Sequence, residues 1–418
     1  MFRTASAIRT FRNLTCGALL LSTQGMGQDR SPDVRFITLD EVKGRAAGAA
    51  ASNVAQLGID AAKYHRQAAQ ADYFPKLNAD FLNLHYNKFM GQTIQLFRRQ
   101  AALPLFGKDE TIVALTVTQP VTQLLQIRQA VNVARADEQI ARAKGGQLTA
   151  QTSENLERVY FELLIANRRQ TIAQKKVAAL QNTQQLATVA MQSRNVVDSD
   201  AAFLEASKEL VMTESQVSEL TKSLNALIGF APDTRLVLAV PEPALETISL
   251  SQATQQAVTN SPEVVEAEQT LVKARAASKL SKLEYIPAVA VTGGYVNQPQ
   301  PVIPLLPNDF SFLGVIATYN IFDFGKREKT LSERNTQVQM AEANVAMVKS
   351  KVAANVQKTF LDLQRSQKIR DLTRRLAAGY QETSLENTST RAAESEMFQA
   401  ELDYRTACTQ LKRLLDGR

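Results

Sequence analysis

The side chains that could do chemistry are few and scattered. The 418 residues hold two histidines, His65 and His85, and two cysteines, Cys16 and Cys408. Neither histidine has a Cys or His neighbour at a ligand spacing, so the pattern offers no metal site. A hydrolase needs a nucleophile beside a base. The chain has no Gly-x-Ser-x-Gly, and almost all its acids fall in stretches of helical character. Asp323-Phe324-Gly325 spells a kinase signature, but no Gly-rich phosphate loop, Val-Ala-Ile-Lys or His-Arg-Asp accompanies it. A turn from strand into helix accounts for the triplet: the Gly relaxes the backbone and the Asp can cap the helix. The expectation is a protein without catalytic residues, metal or cofactor, and not an enzyme.

The elements that carry these residues are long helices. Hydrophobic residues make up 44% of the chain, yet Trp is absent and aromatics reach only 6%. Such a mix suits helices packed by small side chains more than a thick globular core. The net charge is +7. Without residues 1–27, which carry Arg3, Arg9 and Arg12 and no acid, it falls to +4. The remaining charges are mixed in sign along the helices, which speaks for solvated faces and against nucleic acid.

Residues 1–27 have the order of a secretory signal: three arginines, a short apolar run from Leu14 to Leu21, then small residues ending in Gly25-Met26-Gly27. Cleavage is expected after Gly27. Cys16 precedes most of the apolar run instead of following it, so a lipid anchor is not expected there. With Cys16 removed, the mature chain cannot form an internal disulfide. No later segment has about 18 consecutive apolar residues, so no transmembrane helix is expected. Export then leaves a periplasmic, a secreted or an outer-membrane β-barrel protein.

The chain repeats itself at roughly 200 residues, as two homologous halves. Ile37-Thr38-Leu39-Asp40-Glu41 and Ile248-Ser249-Leu250-Ser251-Gln252 both read as helix starts with a hydroxyl cap. The Ala-rich helices that follow stop at Asp72-Tyr73-Phe74-Pro75 and Glu284-Tyr285-Ile286-Pro287. Alternating segments come next, and strands are expected near 76–86 and 111–121 in the first half and near 287–297 and 310–322 in the second. Residues 87–110 and the Pro-rich stretch 297–308 read as loops. Each half then returns to helix. Residues 123–192 hold no Pro, with Gly145-Gly146 as a soft spot, and would reach ~105 Å. Val338, Val345 and Val352 recur every seven residues with alanines between them, a spacing for helix contacts on both flanks. Polar turns are expected at 193–198 and 389–394, and return helices end near Gly229 and Gly417. The expected organisation is a signal over 1–27, a first repeat over 36–229, a connector over 230–247 and a second repeat over 248–417.

Four strands cannot close a membrane barrel, and an open edge in lipid leaves backbone groups unsatisfied. Several copies must therefore share one barrel. Three copies would supply about twelve strands, enough for a hollow interior.

Several stretches resemble the outer membrane efflux protein family, typified by TolC. Tyr319-Asn320-Ile321-Phe322-Asp323-Phe324-Gly325-Lys326-Arg327 is similar to the family's strand-to-helix junction, Asn260-Ser261-Pro262-Glu263 to its Asn-Pro-Glu, and Leu224-Asn225-Ala226-Leu227-Ile228-Gly229 to its closing Leu-x-x-Leu-x-Gly. The likeness covers nearly all of 36–417. In the first half, Asn53 lacks the following Pro-Glu and Gln119-Pro120-Val121 lacks the Asp-Phe-Gly.

The resemblance implies a mainly α fold with a small transmembrane β part: a trimeric α-barrel continued by a shared 12-stranded β-barrel. It implies a passive outer-membrane duct of a tripartite efflux or type I secretion system, with its helical barrel in the periplasm. The partners would be a periplasmic adaptor (membrane fusion protein), an inner-membrane transporter and outer-membrane lipid. Arg194, Asn195, Val196, Val197, Asp198, Arg391, Ala392 and Ala393 fall at the family's adaptor-contacting hairpin tips, with Val196 and Ala393 in place of the family's Gly. An ordinary polar turn fits them as well. Glu396, Gln399 and Glu205 fall where acidic residues ring the periplasmic aperture, or are solvated helix residues. Phe310, Phe312, Tyr319 and Phe322 fit either an aromatic girdle or packing inside the barrel. The rival reading is a periplasmic coiled-coil adaptor or scaffold, which gives no role to the strands behind each Pro.

Overall fold

A computed structural model of the chain describes residues 34–46, 50–88, 91–96, 99–104, 109–189, 193–242, 248–298, 307–382 and 388–417. The signal segment and Cys16 lie outside them. In chain order the first half comprises β1 (Val34–Ile37), α1 (Leu39–Ala46), α2 (Ala50–Ala71), β2 (Lys76–His85), β3 (Gly91–Leu96), β4 (Arg99–Pro104), β5 (Asp109–Pro120), α3 (Gln123–Val189) and α4 (Ser193–Ile228). The connector holds β6 (Arg235–Leu238). The second half comprises α5 (Leu250–Asn260), α6 (Pro262–Leu283), β7 (Ala288–Asn297), β8 (Asp309–Thr318), α7 (Lys326–Glu382) and α8 (Thr388–Asp416).

Both halves start their helices with the same device. The Thr38 backbone N–H donates to Glu41 Oε2 at 3.0 Å, and the Glu41 N–H donates back to Thr38 Oγ1 at 3.3 Å. Ser249 and Gln252 exchange the matching pair at 3.2 and 3.3 Å. These reciprocal bonds satisfy donors that a helix start leaves orphaned. Pro262 opens α6 at a position where no helical N–H is needed. Both return helices stop at a glycine in the left-handed region, Gly229 (φ 74°) and Gly417 (φ 65°). A side chain there is strained, and at Gly417 it would also strike the Asn260 carbonyl.

The helix α3 runs 67 residues without interruption, ~100 Å at the usual rise. Gly145 and Gly146 do not break it. Each faces a neighbouring helix, Gly145 α2 and Gly146 α6: a Cβ on Gly145 would lie 3.3 Å from Ile59 Cδ1, and one on Gly146 3.4 Å from Pro262 Cγ. The helices lie side by side in the order α2–α3–α6–α7, with α4 packed on α3 and α8 on α7. One core gathers Leu156, Tyr160, Leu163 and Leu224 with Val42, and takes Leu402 from the second half. The other gathers Ala253, Val264, Val352, Val356 and Leu411. Small cores alternate with ion pairs along the seams: Lys176–Glu209 (2.9 Å) joins α3 to α4, Lys273–Asp137 (2.7 Å) joins α6 to α3, and Lys349–Glu268 (2.7 Å) joins α6 to α7.

The connector is more than a linker. Its strand β6 pairs in parallel with β1, Val34 opposite Arg235 through Ile37 opposite Leu238. The buried Tyr160 hydroxyl locks this patch to α3 by donating to the Ala239 carbonyl at 2.5 Å, with the Ile37 carbonyl 3.3 Å away. Burial pushes the phenol up to about 12, so it stays a donor at any physiological pH.

Three expectations change. The segment 87–110 is not all loop, because β3 and β4 pair as an antiparallel hairpin within it. The strand expected over 310–322 stops at Thr318. Neither polar stretch is a turn between helices: 193–198 and 389–394 lie inside α4 and α8, in their opening turns. Ser, Asn and Asp favour helix starts as much as turns, which is why polarity alone reads as a reversal where the chain is already helical.

Candidate pore wall and its ends

Four strands form one antiparallel sheet in the order β2–β5–β7–β8. Side chains alternate between its faces, so the register decides which residues share a face. Leu77 lies opposite Val117, Ala79 opposite Leu115 and Phe81 opposite Val113. Leu115 lies opposite Tyr295 on the far side, and Val291 opposite Val315. One face is therefore a continuous apolar surface, and it is uncovered: Leu77 is 71% exposed, Phe81 72% and Leu313 82%. The opposite face is mixed: Lys76, Asn78, Asp80, Thr116, Thr118, Thr292 and Thr318 lie toward its foot with Ala290, Gly314 and Ile316, and Leu82, Leu84, Ile112, Val296, Phe310 and Phe312 toward its far end. Thr118 and Thr292 are joined across it at 3.2 Å.

The apolar face ends in a polar rim. Asn83 donates to Thr111 Oγ1 at 2.9 Å, His85 Nδ1 lies 2.5 Å from Asp109 Oδ1, and the Tyr295 hydroxyl donates to Asp309 Oδ2 at 3.1 Å. At the other end the strands run into the long helices. Thr122 Oγ1 donates to the Pro287 carbonyl at 2.7 Å and accepts from the Val289 N–H at 2.8 Å, stitching the two halves together at the foot of the sheet.

The junction from β8 into α7 is built around Asp323. Its carboxylate accepts from the Gly325 and Arg327 N–H groups, both at 3.2 Å, and from Arg327 Nε at 2.7 Å. Burial pushes this carboxyl up, but the Arg327 and Gly325 hydrogen bonds and the guanidinium charge outweigh it and hold it below the usual range. The guanidinium also donates to the Asn320 carbonyl at 2.7 Å and lies over Tyr285 and Tyr319. The Asp-Phe-Gly triplet thus does its work as a cap. The turn puts Phe324 at φ 55° and leaves it 91% exposed against Phe322. A non-glycine residue held there is strained, and the capping bonds around it supply the compensation.

Phe310 and Phe312 do not share the apolar face. Register puts both on the opposite face, where the Phe312 ring covers Gly294. Packing inside the sheet fits them, while Tyr319 and Phe322 lie exposed at its foot. What separates the two pairs is where β8 ends: Phe310 and Phe312 lie inside it, whereas Tyr319 and Phe322 follow its last residue, Thr318.

The hairpin ends lie at the far end of α3 and α7, away from the sheet. Arg194, Asn195, Val196, Val197 and Asp198 occupy the start of α4, and Arg391, Ala392 and Ala393 the start of α8. Ala393 is buried. The side chains of the others lie outside the described residues. Glu205 and Glu396 are exposed, each within four turns of its helix start, and Gln399 is half-buried and donates to Asp403 Oδ1 at 3.0 Å. Sequence reasoning passed over Arg370, whose guanidinium lies 4.0 Å over the Tyr404 ring and 2.9 Å from Asp371, binding α7 to α8 in the same distal half.

Among the described residues no helix is long and apolar enough to cross a membrane, which says nothing of a β-barrel. No curated protein matches the chain in sequence. Residues 253–394 match the family described as outer membrane efflux protein. Among solved structures, the chain is similar to a membrane protein from Pseudomonas aeruginosa, at 17% identity and a TM-score of 0.71, covering 90% of this chain and 93% of that one. It is similar to the Campylobacter jejuni CmeC outer membrane channel at 11% identity and 0.69, covering 91% and 85%. It is also similar to the outer membrane protein VceC from Vibrio cholerae at 16% and 0.62, covering 91% and 94%. Residues 253–394 thus match the outer membrane efflux protein family, and the whole chain has the fold of the solved outer-membrane proteins it is similar to.

Proposed function

We propose that the chain is the outer-membrane channel component of a tripartite efflux or type I secretion system, a passive trimeric duct without catalytic activity. The observation that carries this reading is the sheet: one uncovered apolar face, an opposite face with charges and threonines at its foot, and two free edges, joined directly to helices of 67 and 57 residues, ~100 and ~85 Å long. In lipid a sheet must close, and four strands are too few. The margins of the chain match in kind. At one side α2 leads into β2, and at the other β8 leads into α7. Both helices leave large apolar side chains exposed, Leu57 and Tyr64 on α2 and Met340 and Met347 on α7. Three copies joined margin to margin give a twelve-stranded barrel with the apolar face toward lipid, continued by a tube of helices in the periplasm.

The hairpin ends, Arg194–Asp198 and Arg391–Ala393, then face the periplasmic adaptor. Energy comes from an inner-membrane transporter, which agrees with a chain that has no nucleotide motif. A coiled-coil adaptor would have no use for an exposed apolar sheet. The test is membrane fractionation followed by native electrophoresis in detergent. A trimer that leaves the outer-membrane fraction only with detergent is expected, and a water-soluble monomer overturns the reading. For the tips, Val196→Asp with Val197→Asp is expected to abolish co-purification of the adaptor, and undiminished capture removes them from the contact.

A further inference from the structure

The two hairpins of the sheet correspond residue for residue. Each first strand begins directly after a proline, Pro75 or Pro287, and its first residue pairs with a threonine: Lys76 with Thr118, Ala288 with Thr318. Both run ten pairs and end at an aspartate, His85 with Asp109 and Asn297 with Asp309. So β2 corresponds to β7 and β5 to β8. The seam between the hairpins, β5 against β7, is itself a pairing of a second strand with a following first strand. That is the pairing a ring of copies needs between β8 of one chain and β2 of the next.

We infer that β8 pairs with β2 of a second copy in the register copied from β5 and β7. This rests on the trimeric reading above and adds its register. Thr118 opposite Thr292 becomes Thr318 opposite Asp80 of the next copy. Thr116 opposite Gly294 becomes Ile316 opposite Leu82, and Pro120 opposite Ala290 becomes Asn320 opposite Asn78. The Val121 N–H, which donates to the Val289 carbonyl at 2.8 Å, has its counterpart in Ile321 donating to Leu77.

Three observations favour this register over its neighbours. A barrel needs a uniform strand tilt, so the stagger used within the chain must recur between chains. On this mixed face the register sets apolar against apolar and polar against polar, Ile316 with Leu82 and Thr318 with Asp80. A slip of two residues one way sets Ile316 against Asp80, and the other way Thr318 against Leu82. Finally, β5 continues two residues past Thr118, paired with β7, whereas β8 stops at the corresponding Thr318. Tyr319 and Asn320 are the residues a neighbouring β2 would bring into the sheet.

Cysteine cross-linking tests the register. Thr118 and Thr292 face each other at a non-hydrogen-bonded pair, the closer of the two antiparallel spacings and one a disulfide spans. In a Cys408→Ser background, Thr318→Cys with Asp80→Cys, oxidised in isolated outer membranes, is expected to give a covalent ladder ending at the trimer. Ile316→Cys with Leu82→Cys is a second in-register pair, in case the first does not assemble. Thr318→Cys with Asn78→Cys or with Leu82→Cys is expected to stay uncoupled. Efficient coupling only in these shifted pairs, from a protein that still purifies as a trimer, overturns the register and spares the duct. A detergent-solubilised monomer that couples in no pair overturns both.

Discussion

Glu138 is buried on α3 between two arginines. Arg66 reaches it from α2 at 2.5 Å and Arg142 from one turn on at 2.7 Å. Hydrogen bonds from Arg66 and then Arg142 hold its carboxyl below the ordinary 4.5, against the opposing effect of burial. A depressed carboxyl stabilises the fold above the unfolded value, and that contribution disappears as pH falls through the folded value. Glu138→Gln is expected to cost about 1–3 kcal/mol at neutral pH, since it leaves Arg66 half-buried without its charge partner. Thermal unfolding of the detergent-solubilised protein measures it. The gap between wild type and variant should be full at pH 7 and narrow well below pH 4.5; a gap independent of pH would show that the ion pair does not carry the effect. Asp323 obeys the same sign rule at the strand-to-helix junction, where Asp323→Ala should fray the start of α7, measurable as faster hydrogen exchange over 326–330.

At the scale of elements, Gly146 decides between two opposing effects. Glycine inside a helix costs about 1 kcal/mol relative to alanine. A Cβ there meets Pro262 at 3.4 and 3.5 Å, ordinary contact distances. Gly146→Ala is therefore expected to raise the melting temperature slightly, while Gly146→Phe should push α6 off α3 and lower it, both read by circular dichroism. A destabilising Gly146→Ala would mean that the helices sit closer than 3.4 Å contacts allow. Much at this scale is legible from residues alone. Pro75 and Pro287 mark the strand starts, the hydroxyl caps mark Thr38 and Ser249, and glycines mark the ends of α4 and α8. Each is a local rule with a local cause. What stays hidden is set by pairing. The β3–β4 hairpin is six residues a side, too short for its alternation to stand out from loop. The faces of Phe310 and Phe312 follow from register, and register follows from partners far along the chain. The tip residues are partly legible: their place at the distal end follows from helix length, but Ser193 and Thr388 read equally as turn or helix start.

At the scale of the whole molecule, length and charge follow from the same architecture. A helix of 67 residues spans ~100 Å, and ten strand residues tilted about 40° add roughly 25 Å. Detergent-solubilised particles should appear as rods of about 125 Å in electron micrographs, and globular particles would contradict the end-to-end joining of sheet and helices. Charge at the distal mouth gives the sharper test. Under three-fold symmetry every exposed carboxylate near the hairpin ends occurs three times around one axis, and a narrow low-dielectric mouth concentrates their potential. Glu396 is exposed about two turns into α8, and Glu205 about three turns into α4, and the proposed trimer would bring both to that mouth. Gln399 is neutral and engaged with Asp403, and it should matter little. In planar bilayers under a salt gradient, Glu396→Gln is expected to lower cation preference by about twofold, and the Glu205→Gln double variant to lower it further. Gln399→Ala should leave the reversal potential in place. A Glu396→Gln channel with unchanged selectivity would mean that this carboxylate faces bulk solvent outside the tube, and the ring of charge would then have to be sought elsewhere along the lumen.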